Sequence, residues 1–358
     1  MLGRLIRNLA RSAFGRRPDV PETLARAEAL LAQRQPGAAR TLALRVLEGD
    51  PVSVPALRLS GRCDMLEGRW PEAERTLSRV LELDPDNFEA MLDLGRVRRA
   101  LGDEAEAVRL ARRALAIAPG SIAAGRLLAE LLLPGERYTG ILERIHAHLQ
   151  PATYVEIGIF SGESLRLVRP ETAAVGIDPQ PRLTAPVPSN VQVFAETSDG
   201  FFARDGLRAA LGGRAVALAF IDGMHHFEFA LRDFINLERH CGRDSTILLH
   251  DVYPVDASVA ERERRTTFWT GDVWRVMAAL RRHRPDLEVC TLSCPPSGLG
   301  MVRRLDPDSR LLAERLDAIV TEFRDMPCPE SEAEKRELLG VVSSNWPEVA
   351  ARLDRRYP

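Results

Sequence analysis

Apolar and polar positions follow two regimes along the chain. Between residues 20 and 121 they recur as pairs of short amphipathic segments separated by turn residues, the pattern of helices packed side by side. From residue 152 onward, short β-rich runs take over: "TYVEIGI", "AAVGID", "VQVFAE", "AVALAFID", "STILLH", "LEVCTL" and "GLGMVRR". Helical stretches such as "FEFALRDFINLERHC" and "DVWRVMAALRRH" lie between most of them. This alternation predicts an α/β domain with a mostly parallel sheet covered on both faces, which binds ligands at the carboxyl ends of its strands.

The first regime is a repeat. Pro51, Pro85 and Pro119 stand 34 residues apart, as do Ala39, Ala73 and Ala107, and Gly61 and Gly95 keep the same interval. Small residues let two helices cross closely, "GRWPEA" and "GDEAEA" supply turns, and the proline closes the second helix. The stretch "ALRLSGRCDMLEGRWPEAERTLSRVLELDPDN" resembles a tetratricopeptide repeat, which implies an all-α solenoid over residues 20–133 and contact with a protein partner. A structural extension or a dimerisation surface is the alternative use of such an array. The following "SIAAGRLLAELLLPGERYTGILERIHAHLQP" reads as a capping helix, a turn at Pro134 and Gly135 where the domain boundary is placed, and a second helix carrying His146 and His148 as surface or interface residues.

Composition narrows the class. The 358 residues are 45% hydrophobic and 28% charged, with a net charge of −2, so no global field recruits nucleic acid or a membrane. Lys335 is the single lysine. Five scattered cysteines lack zinc-ligand spacing, which fits a reduced, cytoplasmic protein. No apolar run reaches membrane-spanning length, and the basic segment 1–19 interrupts Leu2, Leu5, Ile6 and Leu9 with arginines; a frayed helix or weak docking to an anionic surface are its two readings.

The chemistry starts in "YVEIGIFSGES", a strand running into a glycine-rich turn. A phosphate-cradling loop needs G-x-x-x-x-G-K-[ST], but here Gly158-x-x-x-Gly162 precedes Glu163. The dinucleotide fingerprint also fails, since Phe160 stands where the second glycine admits a pyrophosphate, which disfavours a nicotinamide-dependent oxidoreductase. Twenty residues after Gly158, Asp178 ends the second strand, where a carboxylate can accept both hydroxyls of a ribose. An acidic strand end at Glu156 and this aspartate suit a cofactor with an adenosine, no phosphate and positive charge, and S-adenosyl-L-methionine has those properties.

With "FIDGMHHFEFALRDF" and "ILLHDVYP", residues 136–305 resemble a class I S-adenosylmethionine-dependent methyltransferase, family 24-like. That resemblance implies a Rossmann-like, doubly wound, seven-stranded sheet. It places Glu156, Gly158 and Gly162 along the methionine half, Asp178 on the ribose, and Thr197, Ser198 or Asp199 of "ETSDGFF" near the adenine, with Asp222 also beside the cofactor.

Two clusters at strand ends offer catalysis: Asp222, His225 and His226 after the fourth strand, and His250 with Asp251 after the fifth. Asp222 and Asp251 could hold a divalent metal such as Mg2+, although Val252 follows Asp251 and His250 precedes it, unlike related metal enzymes. Without a metal, His225 or His250 is the candidate general base, with Asp251 beside it. The purely structural alternative has the aspartates capping loops and one histidine packing beneath. In "AERERRTTFWTGDVWRV", Asp272 is expected to cap the helix starting at Val273, Trp269 and Trp274 to pack on the sheet, and Arg262, Arg264 and Arg265 to form a solvated face or grip an acidic substrate. Residues 306–358 read as an extension of two amphipathic helices. The expected function is O-methylation of a hydroxyl on a small molecule or glycan. The competing function is a tetratricopeptide scaffold with a catalytically inert methyltransferase-like domain.

Overall fold

The computed structural model describes residues 19–356, so the basic N-terminal segment up to residue 18 lies outside the described residues. The chain divides into two compact units, the first ending at Pro119 and the second beginning at Gly120.

The described part of the first unit is built from helix pairs: α1 (Val20–Ala32) with α2 (Pro36–Gly49), α3 (Val54–Leu66) with α4 (Trp70–Leu83), and α5 (Phe88–Ala100) with α6 (Glu104–Ile117). The 34-residue period has direct physical causes. Ala39, Ala73 and Ala107 are fully buried, and a Cβ on Gly61 would sit 2.7 Å from Leu77, so only glycine lets α3 and α4 approach this closely. The turns inside the second and third pairs use Gly68 and Gly102 at φ of +72° and +84°, where a side chain is strained. Asn87 and Asp103 accept hydrogen bonds from the first-turn amides of α5 and α6.

The second unit opens with α7 (Ile122–Leu132) and α8 (Tyr138–Leu149). The break between units therefore falls ahead of α7 instead of at the Pro134–Gly135 turn. One physical reason lies in Gly125, where a Cβ would meet the ring of Phe268 at 2.7 Å, so α7 seats directly on a loop of this unit. His146, expected at the surface or an interface, is buried against Tyr154 with ring centroids 4.6 Å apart.

The strands and helices that follow are β1 (Thr153–Ile157), β2 (Ala173–Ile177), β3 (Val191–Phe194), α9 (Ser198–Ala203), α10 (Gly206–Leu211), β4 (Val216–Ile221), α11 (Phe227–Glu238), β5 (Cys241–His250), α12 (Trp274–His283), β6 (Glu288–Leu292) and β7 (Leu299–Arg303). The tail adds α13 (Leu311–Glu314), α14 (Leu316–Phe323), α15 (Glu332–Leu338), β8 (Val341–Val342) and α16 (Trp346–Leu353). Among the described residues one sheet runs β3-β2-β1-β4-β5-β7-β6-β8, parallel except for β7. All seven expected strands form. The eighth corrects the two-helix reading of the tail: Val341 and Val342 pair in parallel with Thr291 and Leu292 of β6, too short a run to show a period of two.

The chain builds outward from β1 through β2 to β3, then returns to lay β4 on the other side of β1. That reversal opens a crevice at the carboxyl ends of β1 and β4. Apolar residues on one face of the sheet, including Tyr154, Leu218, Phe220, Leu248 and Met301, join Ile141 and Ile145 of α8 and Val349 of α16 in one core that fixes these strand ends.

Candidate functional site

A cleft of about 840 Å3 opens at this crevice. Its floor is the turn after β1. Gly158 has φ +85°, and a Cβ there would lie 2.1 Å from the carbonyl oxygen of Asp222, so β1 and β4 touch backbone to backbone. Phe160, 64% exposed, adopts φ 36°, a strained value for a residue with a side chain. What holds it is Asp178, whose Oδ2 accepts the amides of Ile159 and Phe160 at 3.0 and 2.9 Å, while Oδ1 accepts that of Gln180. Two amides of the turn are therefore already engaged by a carboxylate and turned away from any phosphate. Both lone pairs of Oδ2 are thus engaged, Oδ1 keeps a second one, and Asp178 remains part-exposed on the cleft wall.

Glu156 lies beneath the turn and not on the cleft wall. It is 0% exposed and accepts hydrogen bonds from Tyr154 Oη (2.8 Å) and Ser164 Oγ (2.6 Å). Burial pushes its carboxyl up to about 8, against the pull of those two bonds. It ties β1 to the end of the glycine turn. Gly162, at φ +73°, shapes the same turn and is not among the lining residues. Thr197, Ser198 and Asp199 line the far side, where Thr197 caps α9 by accepting the Gly200 amide, and Asp199 pairs with Arg232 at 2.9 Å.

Asp222, His225, His250 and Asp251 converge on the same cleft. His250 Nδ1 lies 3.2 Å from Asp222 Oδ1 and 3.5 Å from Asp251 Oδ1. Burial would lower its pKa, but the charges of Asp251 and Asp222 overturn that and hold it well above its ordinary value, so it stands as an imidazolium. Burial likewise would raise Asp251, yet His250 and His225 pull it down to about 2. Asp251 sits at φ 58°, strained, and Ser297 Oγ donates to it at 2.6 Å. His225 has its Nδ1 3.2 Å from Asp251 Oδ2 and 3.2 Å from the carbonyl of Trp269. A carbonyl only accepts, so Nδ1 carries a proton, while Nε2 lies 4.0 Å from Asp222 Oδ1. His226 turns away, its Nε2 3.0 Å from the carbonyl of Arg262.

The loop between β5 and α12 covers this cluster. Contrary to expectation, Asp272 does not cap the helix that follows it. Fully buried, it accepts the Phe227 amide at 2.7 Å and so caps α11 across the loop, where Arg262 and Arg275 neutralise it. Trp269 does not pack on the sheet: half-exposed, it stacks on His225 with centroids 5.0 Å apart and planes 14° apart, while Trp274 is buried as expected. Sequence reading also missed Tyr138, whose ring lies 4.0 Å from His250, and Asp233, a buried acid on the cleft wall raised to about 7 by desolvation. Tyr138 and Ser297 arrive from distant segments that carry no motif, and Asp233 reads as one more polar position on an amphipathic helix.

Comparison with known proteins bears on this geometry. The family described as tetratricopeptide repeat matches residues 30–96 and 64–131, and the family described as methyltransferase domain matches residues 155–252. The second span runs from the glycine turn through Asp251. A methyltransferase domain follows tetratricopeptide repeats in this chain. Among solved structures, a crystal structure of MamA protein is 20% identical over 32% of this chain, which spans 62% of that protein, with a TM-score of 0.30. The Arabidopsis OM64 TPR domain is 18% identical over 33% of this chain and 97% of its own, TM-score 0.31. The second TPR domain of human RPAP3, in complex with an HSP70 peptide, is 19% identical over 30% and 91%, TM-score 0.29. A search among curated proteins finds no match.

Proposed function

We propose that the methyltransferase domain uses S-adenosylmethionine to methylate a hydroxyl on a small molecule or glycan, with His225 as general base. The observation that carries this reading is the Asp251–His225 pair in the cleft that also holds Gly158 and Asp178.

The residues fit the cofactor. Six carboxylates, from Glu163, Asp178, Asp199, Asp222, Asp233 and Asp251, line the cleft and favour a sulfonium and an ammonium group. Asp178 retains one lone pair, on Oδ1, for a ribose hydroxyl. When bound, S-adenosylmethionine supplies an electrophilic methyl group whose S–C bond breaks as the new O–C bond forms. The acceptor hydroxyl gives its proton to Nε2 of His225, and the imidazolium that results is stabilised at Nδ1 by Asp251. His250, already protonated, serves as a fixed positive charge that keeps Asp222 and Asp251 in place. Trp269 locks the plane of the His225 ring.

Magnesium fits this arrangement poorly. Asp222, His250 and Asp251 offer ligand atoms within 4.8 Å of one another, but one of the three donors is an imidazole nitrogen where magnesium demands oxygen. The tetratricopeptide repeats are assigned contact with a protein partner, their general use.

The test is calorimetric titration of the purified chain with S-adenosylmethionine, beside Asp178→Ala and with NAD as control ligand. Binding lost in the variant and absent for NAD is expected, followed by an acceptor screen with and without magnesium. A folded chain that does not bind S-adenosylmethionine would sink the enzyme reading in favour of the scaffold.

A further inference from the structure

Among the described residues the cleft wall carries one arginine and no lysine. Arg264 faces the same space as the six carboxylates, yet pairs with none of them. Its neighbours behave differently. Arg262 is bound to Glu228 and Asp272, and Arg265 to Glu261 and Glu263. Among the described residues the Arg264 guanidinium lies over the face of Trp269, 5.8 Å from its centroid. An exposed arginine beside so much negative charge would ordinarily fold onto the nearest carboxylate. The indole holds this one apart.

The same indole is stacked on His225. Guanidinium, indole and imidazole therefore form one connected series along the cleft wall. Trp269 is itself anchored, its Nε1 donating to the carbonyl of Glu261 at 2.6 Å, and Gly271 lets the backbone pass so close to His225 that a Cβ would lie 1.9 Å from its carbonyl oxygen. The spacing between the free guanidinium and the base is thus built into the loop. Phe160 and Met224, both exposed, supply apolar surface on the same cleft.

We infer that Arg264 is the specificity-determining residue of the acceptor site, selecting a hydroxyl compound that carries a carboxylate and seating that carboxylate so that the hydroxyl reaches Nε2 of His225. This rests on the proposed methyl transfer and narrows its substrate class. A guanidinium binds a carboxylate through two parallel hydrogen bonds, which fixes orientation as well as charge. An acidic acceptor would otherwise be repelled by the carboxylates of the cleft, so a guanidinium that none of them neutralises decides whether it enters.

The experiment uses the full chain with S-adenosylhomocysteine present, so that no turnover is needed. Two matched probe pairs are titrated: 3,4-dihydroxybenzoate against its methyl ester, and p-nitrophenyl glucuronide against p-nitrophenyl glucoside. At least one carboxylate probe is expected to bind about tenfold tighter than its neutral partner, the scale of a charge-assisted hydrogen bond. That preference is expected to vanish in Arg264→Ala, survive in part in Arg264→Lys, and persist in Arg265→Ala. No preference in either pair, no binding by either carboxylate, or a preference unchanged in Arg264→Ala would overturn the inference. An equal loss of S-adenosylmethionine affinity in Arg264→Ala would assign the guanidinium to the donor's own carboxylate and also overturn it. Intact donor binding with no acidic preference removes this inference alone. An acidic preference without donor binding removes the methyltransferase reading and leaves an anion subsite.

Discussion

Two histidines of the cleft differ in what their neighbours allow. His250 lies between Asp222 and Asp251 and keeps its proton, whereas His225 has Nδ1 committed to a carbonyl and a carboxylate and Nε2 4.0 Å from Asp222. His225→Asn preserves a polar group of similar size without a basic nitrogen. It is expected to lower kcat by about 100-fold or more while KM moves less than threefold, measured by steady-state kinetics on any accepted hydroxyl. Glu156 gives a second prediction, this time for stability. Its folded pKa of about 8 lies above its ordinary 4.5, so below 4.5 both folded and unfolded chains hold the proton and nothing is lost. As pH rises through that window the unfolded chain ionises first, and stability falls by about 1.4 kcal/mol per pH unit. Glu156→Gln has no proton to lose. Denaturation at a series of pH values is expected to show the variant gaining on the parent between pH 4.5 and about 8, then a constant gap; parallel profiles would contradict it. At this scale the sequence located Asp178, Asp222, His225, His250 and Asp251 because each ends a strand or follows one closely. It misplaced Glu156, since a strand end can point into the cleft or into the core, and only the positions of Tyr154 and Ser164 show which.

Loops decide more than helices and strands in this site. The β5–α12 loop brings Asp272 to the start of α11, Trp269 onto His225, and Arg264 to the rim. Gly271, at φ +61°, is where that loop crosses the His225 backbone. Gly271→Ala is expected to push the loop off His225, with Tm lowered by several degrees and methyl transfer reduced about tenfold or more, while S-adenosylmethionine affinity stays within threefold in calorimetry. Equal losses of donor affinity and turnover would mean that the loop supports the whole cleft instead of the base alone. The sequence flagged the residues of this segment but attached Asp272 to the wrong helix. A cap is a local signal, and the nearer helix start is its default partner. Here Arg262 and Arg275 neutralise Asp272 in a buried position, which makes the long-range pairing with α11 possible.

For the molecule as a whole, the residue order alone determined the repeat array and the α/β alternation. A 34-residue period of prolines, alanines and glycines sets helix lengths and crossings locally, and a run of β-rich segments ending in acidic residues and glycines admits few topologies. It also indicated which strand ends meet at one cleft, because a parallel sheet with one reversal gathers them along a single edge. Only the tertiary structure decided where the compact units divide, that the tail supplies an eighth strand, and which histidine keeps its proton. Each of these depends on contacts between segments far apart in the chain: Gly125 under Phe268, Val341 beside Thr291, and His250 between Asp222 and Asp251. Periodicity reports a residue's own element. Protonation, orientation and the free guanidinium of Arg264 depend on what the fold places opposite.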